Sequence, residues 1–266
     1  MTEKTAVQAQ QKKSLDFDYR GWVIPLILFL LWYITTDQKW VDPALLPRPH
    51  NVWQVFVESW QSKELIENIL YSLARNTTGF IAGGLIGAAL GLLLGLNSWA
   101  DRFFSPTLNA IKHVAVFAWI PLMIMWFGNG ELSKVIFIAL VVFYPVFFNT
   151  YDGVKNISEK TKEVAKIFQL SKFSTFFKVI LPSAAPSIFA GLNIALVFSW
   201  VATIGAEYFF VAAPGVVNPI LDGQSLFKME VVLYGMAIIA VVGLLFSKLA
   251  QFFEGYNLRW RQGLHK

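Results

Sequence analysis

The chain has 266 residues, of which 56% are hydrophobic and 15% charged, with a net charge of +5 and a mean hydropathy of +0.53. This composition excludes an ordinary soluble domain and leaves room for about five to seven membrane spans of roughly 20 residues each, with no large soluble domain. The absence of cysteine excludes disulfides, thiolate metal sites and cysteine nucleophiles, and His50, His113 and His265 lie too far apart in sequence to suggest a metal site.

In chain order, residues 1–20 are polar and carry Lys4, Lys12, Lys13 and Arg20 without a cleavable leader pattern, which predicts a retained cytoplasmic tail. Gly21 to Thr36 predicts a short first span with Trp22, Trp32 and Tyr33 as interfacial aromatics. Leu46-Pro47-Arg48-Pro49 predicts an extended elbow, after which Asn51 caps a short interfacial or connecting helix with Val52, Val55, Phe56 and Trp60 on one face. The second span, about Leu70 to Leu96, places Gly79, Gly83, Gly87, Gly91 and Gly95 four residues apart. Four residues slightly exceed one helical turn, so the glycines form a slowly winding line along which another helix can pack closely.

Ser105-Pro106 reads as a cap followed by proline and predicts the start of a third span reaching Phe127, with Pro121 bending it from inside. Leu132 to Thr150, Ser187 to Val211 and Val231 to Phe253 complete a count of six. With the amino terminus inside, the inner segments hold most of the Lys and Arg, among them Arg102, Lys155, Lys160, Lys166, Lys172, Lys178, Arg259 and Arg261. The positive-inside rule then places both termini and the long loop before the fifth span in the cytoplasm, and explains the basic charge without nucleic acid. Within the spans the ionisable residues are Lys112, Glu207 and Lys248, with Arg75 and His113 near span ends. Glu207 is the leading pathway or gate candidate, with an interhelical hydrogen bond as the equal alternative; Lys112 either attracts an anion or snorkels, and Pro121 either shapes a pathway or kinks a packed helix.

The long loop, Lys162 to Leu192, opens as an amphipathic helix with Glu163 and Lys166 on one side and Val164, Ile167 and Phe168 on the other. It breaks near Gln169 to Ser171, restarts, and is expected to bend at Leu181-Pro182, where the proline lacks an amide donor. This stretch resembles the coupling loop of the permease subunit of bacterial ATP-binding-cassette importers, whose pattern is Glu-Ala-Ala, three residues, Gly, nine residues, then Ile-x-Leu-Pro. Here the pattern falls on Glu163, Val164, Ala165, Gln169, Val179 and Leu181-Pro182, departing at Val164, Gln169 and Val179. Leu46-Pro47-Arg48-Pro49, Ile120-Pro121-Leu122, Trp126-Phe127-Gly128, Gly191-Leu192 and Ala206-Glu207 are similar to the subfamily that imports aliphatic sulfonates, taurine, nitrate or bicarbonate.

The resemblance implies an all-α polytopic membrane protein with six transmembrane helices, the type I importer permease fold. Its parts would be a cytoplasmic tail at 1–20, a permease domain at 21–254 with the coupling loop at 155–185, and a cytoplasmic tail at 255–266. It implies an inner-membrane homodimer that contacts ABC ATPase subunits through Glu163, Val164, Ala165, Ile167, Phe168, Gln169 and Leu170, and receives substrate from a periplasmic or lipid-anchored binding protein. No Gly-x-x-x-x-Gly-Lys-Ser/Thr stretch is present, so the chain is expected to hold no cofactor of its own, with ATP bound by the partner ATPase. An ion-coupled secondary transporter is the alternative, and a membrane enzyme ranks behind it for want of a nucleophile and base pair.

Gln169 stands where the family has a glycine. An ordinary backbone conformation is expected there, with negative φ and the break shifted toward Ser171, whose hydroxyl caps the next helix.

Overall fold

The computed structural model describes residues 20–210 and 214–257. Among them are ten α-helices, in chain order α1 Arg20–Asp37, α2 Pro49–Gln61, α3 Glu64–Leu96, α4 Ser98–Ile111, α5 Ile120–Phe127, α6 Glu131–Lys155, α7 Glu159–Ile167, α8 Lys172–Phe209, α9 Asn218–Ser225 and α10 Met229–Asn257. The described chain is all-α, as expected. Most of both expected tails, residues 1–19 and 258–266, and the side chain of Trp22 lie outside the described residues.

The centre of the bundle is α6. Phe137, Ile138, Val142 and Val146 on this helix are fully buried, with α3 against one side and α8 against another. The glycine line makes the α3 contact possible, because each of its members faces α6. A Cβ at Gly79 would lie 2.6 Å from Ile138 Cγ2, one at Gly87 2.9 Å from the Phe143 carbonyl oxygen, one at Gly91 2.7 Å from Thr150 Cβ and one at Gly95 2.8 Å from Val154 Cβ. Gly83 sits directly on the Ala139 carbonyl. The contacted positions on α6 also advance about four residues at a time, so the two helices wind around each other in register. By contrast, the outward faces of α1, α3, α8 and α10 expose leucine, isoleucine, valine and phenylalanine, which suits a hydrocarbon surround.

By length and composition, four helices can each cross a membrane: α3, α6, α8 and α10. The α4 and α5 pair makes a fifth if counted as one span, although its halves meet at 95°; the apolar Val23–Asp37 part of α1 is shorter. This differs from the six regular spans expected, and the third span accounts for the main difference. Its helix begins at Ser98, where Asn97 Oδ1 accepts from the amides of Trp99 and Ala100, and not at Ser105-Pro106. Ser105 instead donates its hydroxyl to Asp101 Oδ1 at 2.6 Å, which leaves it within the helix. Pro121 is likewise not internal. It occupies the first turn of α5, after a 3-10 turn at Val116–Trp119, where its missing amide costs nothing.

Two other expected boundaries shift for similar reasons. α2 starts at Pro49, so Asn51 lies inside it and caps nothing; Ser59 is its buried residue, while Trp60 points outward. The expected bend at Leu181-Pro182 is absent, because α8 continues through Pro182 by widening into a π turn at Phe176–Ile180. In that turn the Leu181 amide donates to the Phe176 carbonyl, so the extra residue absorbs the register change that the proline would otherwise force into a kink.

Candidate functional site

The amphipathic segment forms α7, and the chain leaves it through a tight turn at residues 168–171. The Gln169 amide donates to the Lys166 carbonyl at 3.0 Å and the Leu170 amide to the Ala165 carbonyl at 3.2 Å. This pair of bonds is a Schellman closure, which requires a left-handed residue just past the helix end. Gln169 supplies it with φ of +49°, so the expectation of negative φ is wrong: the turn that a glycine would make is kept, with glutamine in the strained position. The expected cap is present, since Ser171 Oγ accepts from the Ser174 amide at 3.2 Å and starts α8.

Around this turn the side chains of the segment divide between the bundle and the exposed surface. Ala165 is the buried residue of α7 and Leu170 is half-buried, whereas Glu163, Lys166 and Gln169 are exposed. Ile167 and Phe168 are 77% and 72% exposed, so they do not pack under the helix. The Val164 side chain lies outside the described residues. Two residues missed by the sequence reading extend the apolar surface: Phe173, 73% exposed, and Phe177, with ring centroids 4.5 Å apart. Their spacing of four residues was a usable signal, but it reads equally well as a buried helical face.

A second constellation sits at the other end of the bundle, where α3 and α6 begin and α8 ends. Glu207 is 2% exposed. Its Oε1 accepts from Ser72 Oγ at 2.5 Å and pairs with the Arg75 guanidinium, while Oε2 accepts from the Val217 amide at 3.1 Å. Arg75 also grips Glu131 through two nitrogens, both at 2.8 Å, and donates to the Pro214 carbonyl at 3.3 Å. Lys134 is buried 3.3 Å from Glu131. Arg75, Lys134 and Glu207 are buried, while the Glu131 side chain is 49% exposed at the edge of the cluster, so two cations and two anions neutralise one another with each carboxylate held by several donors, the condition under which buried charge is tolerated.

The cluster also holds the segment before α9 close to the bundle. The Val216 amide donates to Ser72 Oγ at 3.0 Å, and a Cβ on Gly215 would fall 2.5 Å from Glu207 Oε2. The structure thus places Glu207 against α3 and this segment. The signal in the sequence was the presence of Arg75 and Glu207 in apolar spans, but nothing in their separation of 132 residues indicated that they meet.

The other pathway candidates lie elsewhere. Lys112 is exposed at the end of α4, donating to Asn109 Oδ1 at 2.9 Å, with its Nζ 5.1 Å from the centre of the Phe148 ring. It forms neither a hydrogen bond nor an ion pair with Glu207, and Pro121 serves as a helix start. Among the described residues, no group of three or more His, Cys, Asp or Glu could hold a metal ion.

Comparison with known proteins gives a consistent result. Residues 83–260 match the family described as "Binding-protein-dependent transport system inner membrane component". A putative aliphatic sulfonates transport permease protein, SsuC, of Bacillus subtilis is 31% identical, covering 97% of this chain and 94% of that protein. The Escherichia coli protein of the same description is 32% identical over 92% of each chain, and the E. coli taurine transport system permease protein TauC is 29% identical over 82% of this chain and 81% of its own length. Among solved structures, one described as an amino acid ABC transporter with histidines aligns with a TM-score of 0.60 and 18% identity, covering 76% of this chain and 97% of that one, which shows a shared fold.

Proposed function

Because the chain belongs to the family of binding-protein-dependent transport system inner membrane components, and is the permease subunit of an ABC importer, we propose that α7 and the turn after it are the contact through which a separate ATPase drives the spans. An importer permease of this family is a multi-pass inner-membrane protein that works with an ATPase and a substrate-binding protein. The observation that carries the reading is the exposed apolar surface of Ile167, Phe168, Phe173 and Phe177 around a turn whose geometry is closed by two backbone hydrogen bonds. Apolar side chains held in water on a rigid frame are suited to become the buried anchors of a protein interface, and Glu163 beside them offers a charge for a basic group on the partner.

On this reading the α7 end of the bundle and both termini face the cytoplasm, and the permease acts as a homodimer whose pathway runs between the copies. ATP is bound and hydrolysed by the separate subunit, whose closure pushes α7 and moves α8 as one rod, because the π turn keeps it continuous. The buried cluster around Glu207 fixes the opposite end of that rod to α3 and α6, so Glu207 acts as an anchor at the outer mouth. Selectivity belongs mainly to the binding protein, and the relatives named for aliphatic sulfonates make that the substrate class to test first.

Glu163→Lys should lower transport and transport-stimulated ATP hydrolysis while leaving membrane insertion unchanged. Loss of insertion and transport in equal measure would assign the residue to folding and remove the coupling role.

A further inference from the structure

Away from the ion cluster, a cavity of about 510 Å³ lies between α7 and the helix ends beside it. This volume falls within the range of about 300–1,000 Å³ in which small ligands are held. Leu94 at the end of α3, Val154 in the last turn of α6 and Ile157 just past it, and Val179 and Ile180 in the π turn form an aliphatic floor, while Asp101, Lys155 and Lys166 stand at the rim.

The rim is not electrically balanced. Asp101 is already committed within the chain: Oδ1 accepts from Ser105 Oγ at 2.6 Å and Tyr151 Oη at 2.5 Å, and Oδ2 from Lys155 Nζ at 2.9 Å. Lys155 has given two of its three donors, to Asp101 and to Tyr151 Oη at 2.6 Å, and its side chain is 54% exposed, so one donor remains. Lys166, exposed on α7, has no acidic partner within ion-pair distance among the described residues.

We infer that this cavity binds an anionic amphiphile, with its alkyl chain on the aliphatic floor and its headgroup at Lys166 and Lys155. A cation would meet two lysines and a carboxylate already engaged by three donors. An inorganic anion would leave the aliphatic floor in water, and a neutral hydrocarbon would leave the Lys166 charge and the remaining Lys155 donor unanswered. A bound amphiphile would tie α7, whose buried Ala165 also lines the cavity, to the ends of α3 and α6, and so restrain the helix assigned above to coupling. The headgroup chemistry is shared by an anionic phospholipid of the adjacent leaflet and by a free alkyl anion from solution.

Since the chain has no cysteine, Leu170→Cys places one label position on the cavity wall. The full-length variant, in nanodiscs of phosphatidylcholine, is alkylated with N-ethylmaleimide at rising concentrations of octanesulfonate. Saturating octanesulfonate should slow alkylation about tenfold when present at about ten times its Kd. Butanesulfonate should need a much higher concentration, since each methylene lost weakens binding up to about fourfold. Octyl glucoside, which has the chain without the charge, should not protect.

In the second arm, nanodiscs containing phosphatidylglycerol should slow the labelling without octanesulfonate if the source is lipid, and leave it unchanged if the source is solution. Lys166→Gln, an exposed change that leaves packing intact, should shift protection to several-fold higher concentration, and Val179→Trp should abolish it by filling the floor. Absence of protection in both arms, equal protection by octyl glucoside, or indifference to Lys166→Gln would overturn the site. Because the assay needs no ATPase, its outcome is separate from that of Glu163→Lys.

Discussion

The strained turn after α7 allows a sharp test. Gln169 holds φ at +49°, a conformation that costs a residue with a side chain about 1–2 kcal/mol relative to the ordinary helical region. Gln169→Gly removes that cost but adds about 0.5–1 kcal/mol of backbone entropy to be lost on ordering. The difference leaves a net stabilisation of about 0.5–1 kcal/mol, or a two- to fivefold shift in the local opening equilibrium. The amides that report it are those of residues 169 and 170, which close the turn onto Lys166 and Ala165. Hydrogen exchange measured by mass spectrometry on a peptide spanning this turn should slow by that factor, while transport stays unchanged because Ile167 and Phe168 keep their exposure. Gln169→Val should do the reverse, since a β-branched residue is poorly accommodated at positive φ. Unchanged or faster exchange at the Leu170 amide in Gln169→Gly would show that the glutamine side chain compensates its own strain, and would refute the reasoning.

The buried cluster predicts that Arg75→Ala, which leaves the Glu207 carboxylate without its cation, costs about 3–5 kcal/mol, read as a lowered thermal midpoint of the purified protein. The double change Arg75→Met with Glu207→Leu should recover much of that loss, and a double variant no better than Arg75→Ala would count against charge pairing as the cause. Along the glycine line, Gly83→Ala should reduce folded yield because its methyl meets the Ala139 carbonyl, whereas Gly84→Ala, with Leu192 3.7 Å away, should be neutral; equal effects would contradict the packing. Ser171→Ala should cost about 1 kcal/mol at the start of α8, seen as faster exchange of the Ser174 amide, and an unchanged rate would remove the cap.

Composition and hydropathy alone established a membrane protein with room for several apolar spans, because apolar length is a local property, and the family resemblance implied that these spans are helices. The glycine line was legible for a similar reason: its period is written in consecutive residues, and only close packing makes use of it. The break after α7 and the Ser171 cap were also legible, since both are made by neighbours in sequence. The conformation of Gln169 was not. Propensity argued for negative φ, but closing α7 onto Leu170 and starting α8 in its observed direction required a left-handed residue whatever its side chain. The start of α4 was misplaced because Asn97 and Ser105 both resemble caps, and only the contact of Ser105 with Asp101 puts it inside the helix. Pro121 and Pro182 show the same limit: proline removes a donor in every context, but whether the chain starts a helix, kinks or widens into a π turn depends on what packs beside it. Tertiary structure alone decided the pairing of Arg75 with Glu207, the clamp on residues 214–217 and the cavity behind α7, because each brings together atoms from helices far apart in the chain, and their separation in sequence carries no trace of the distance at which they meet.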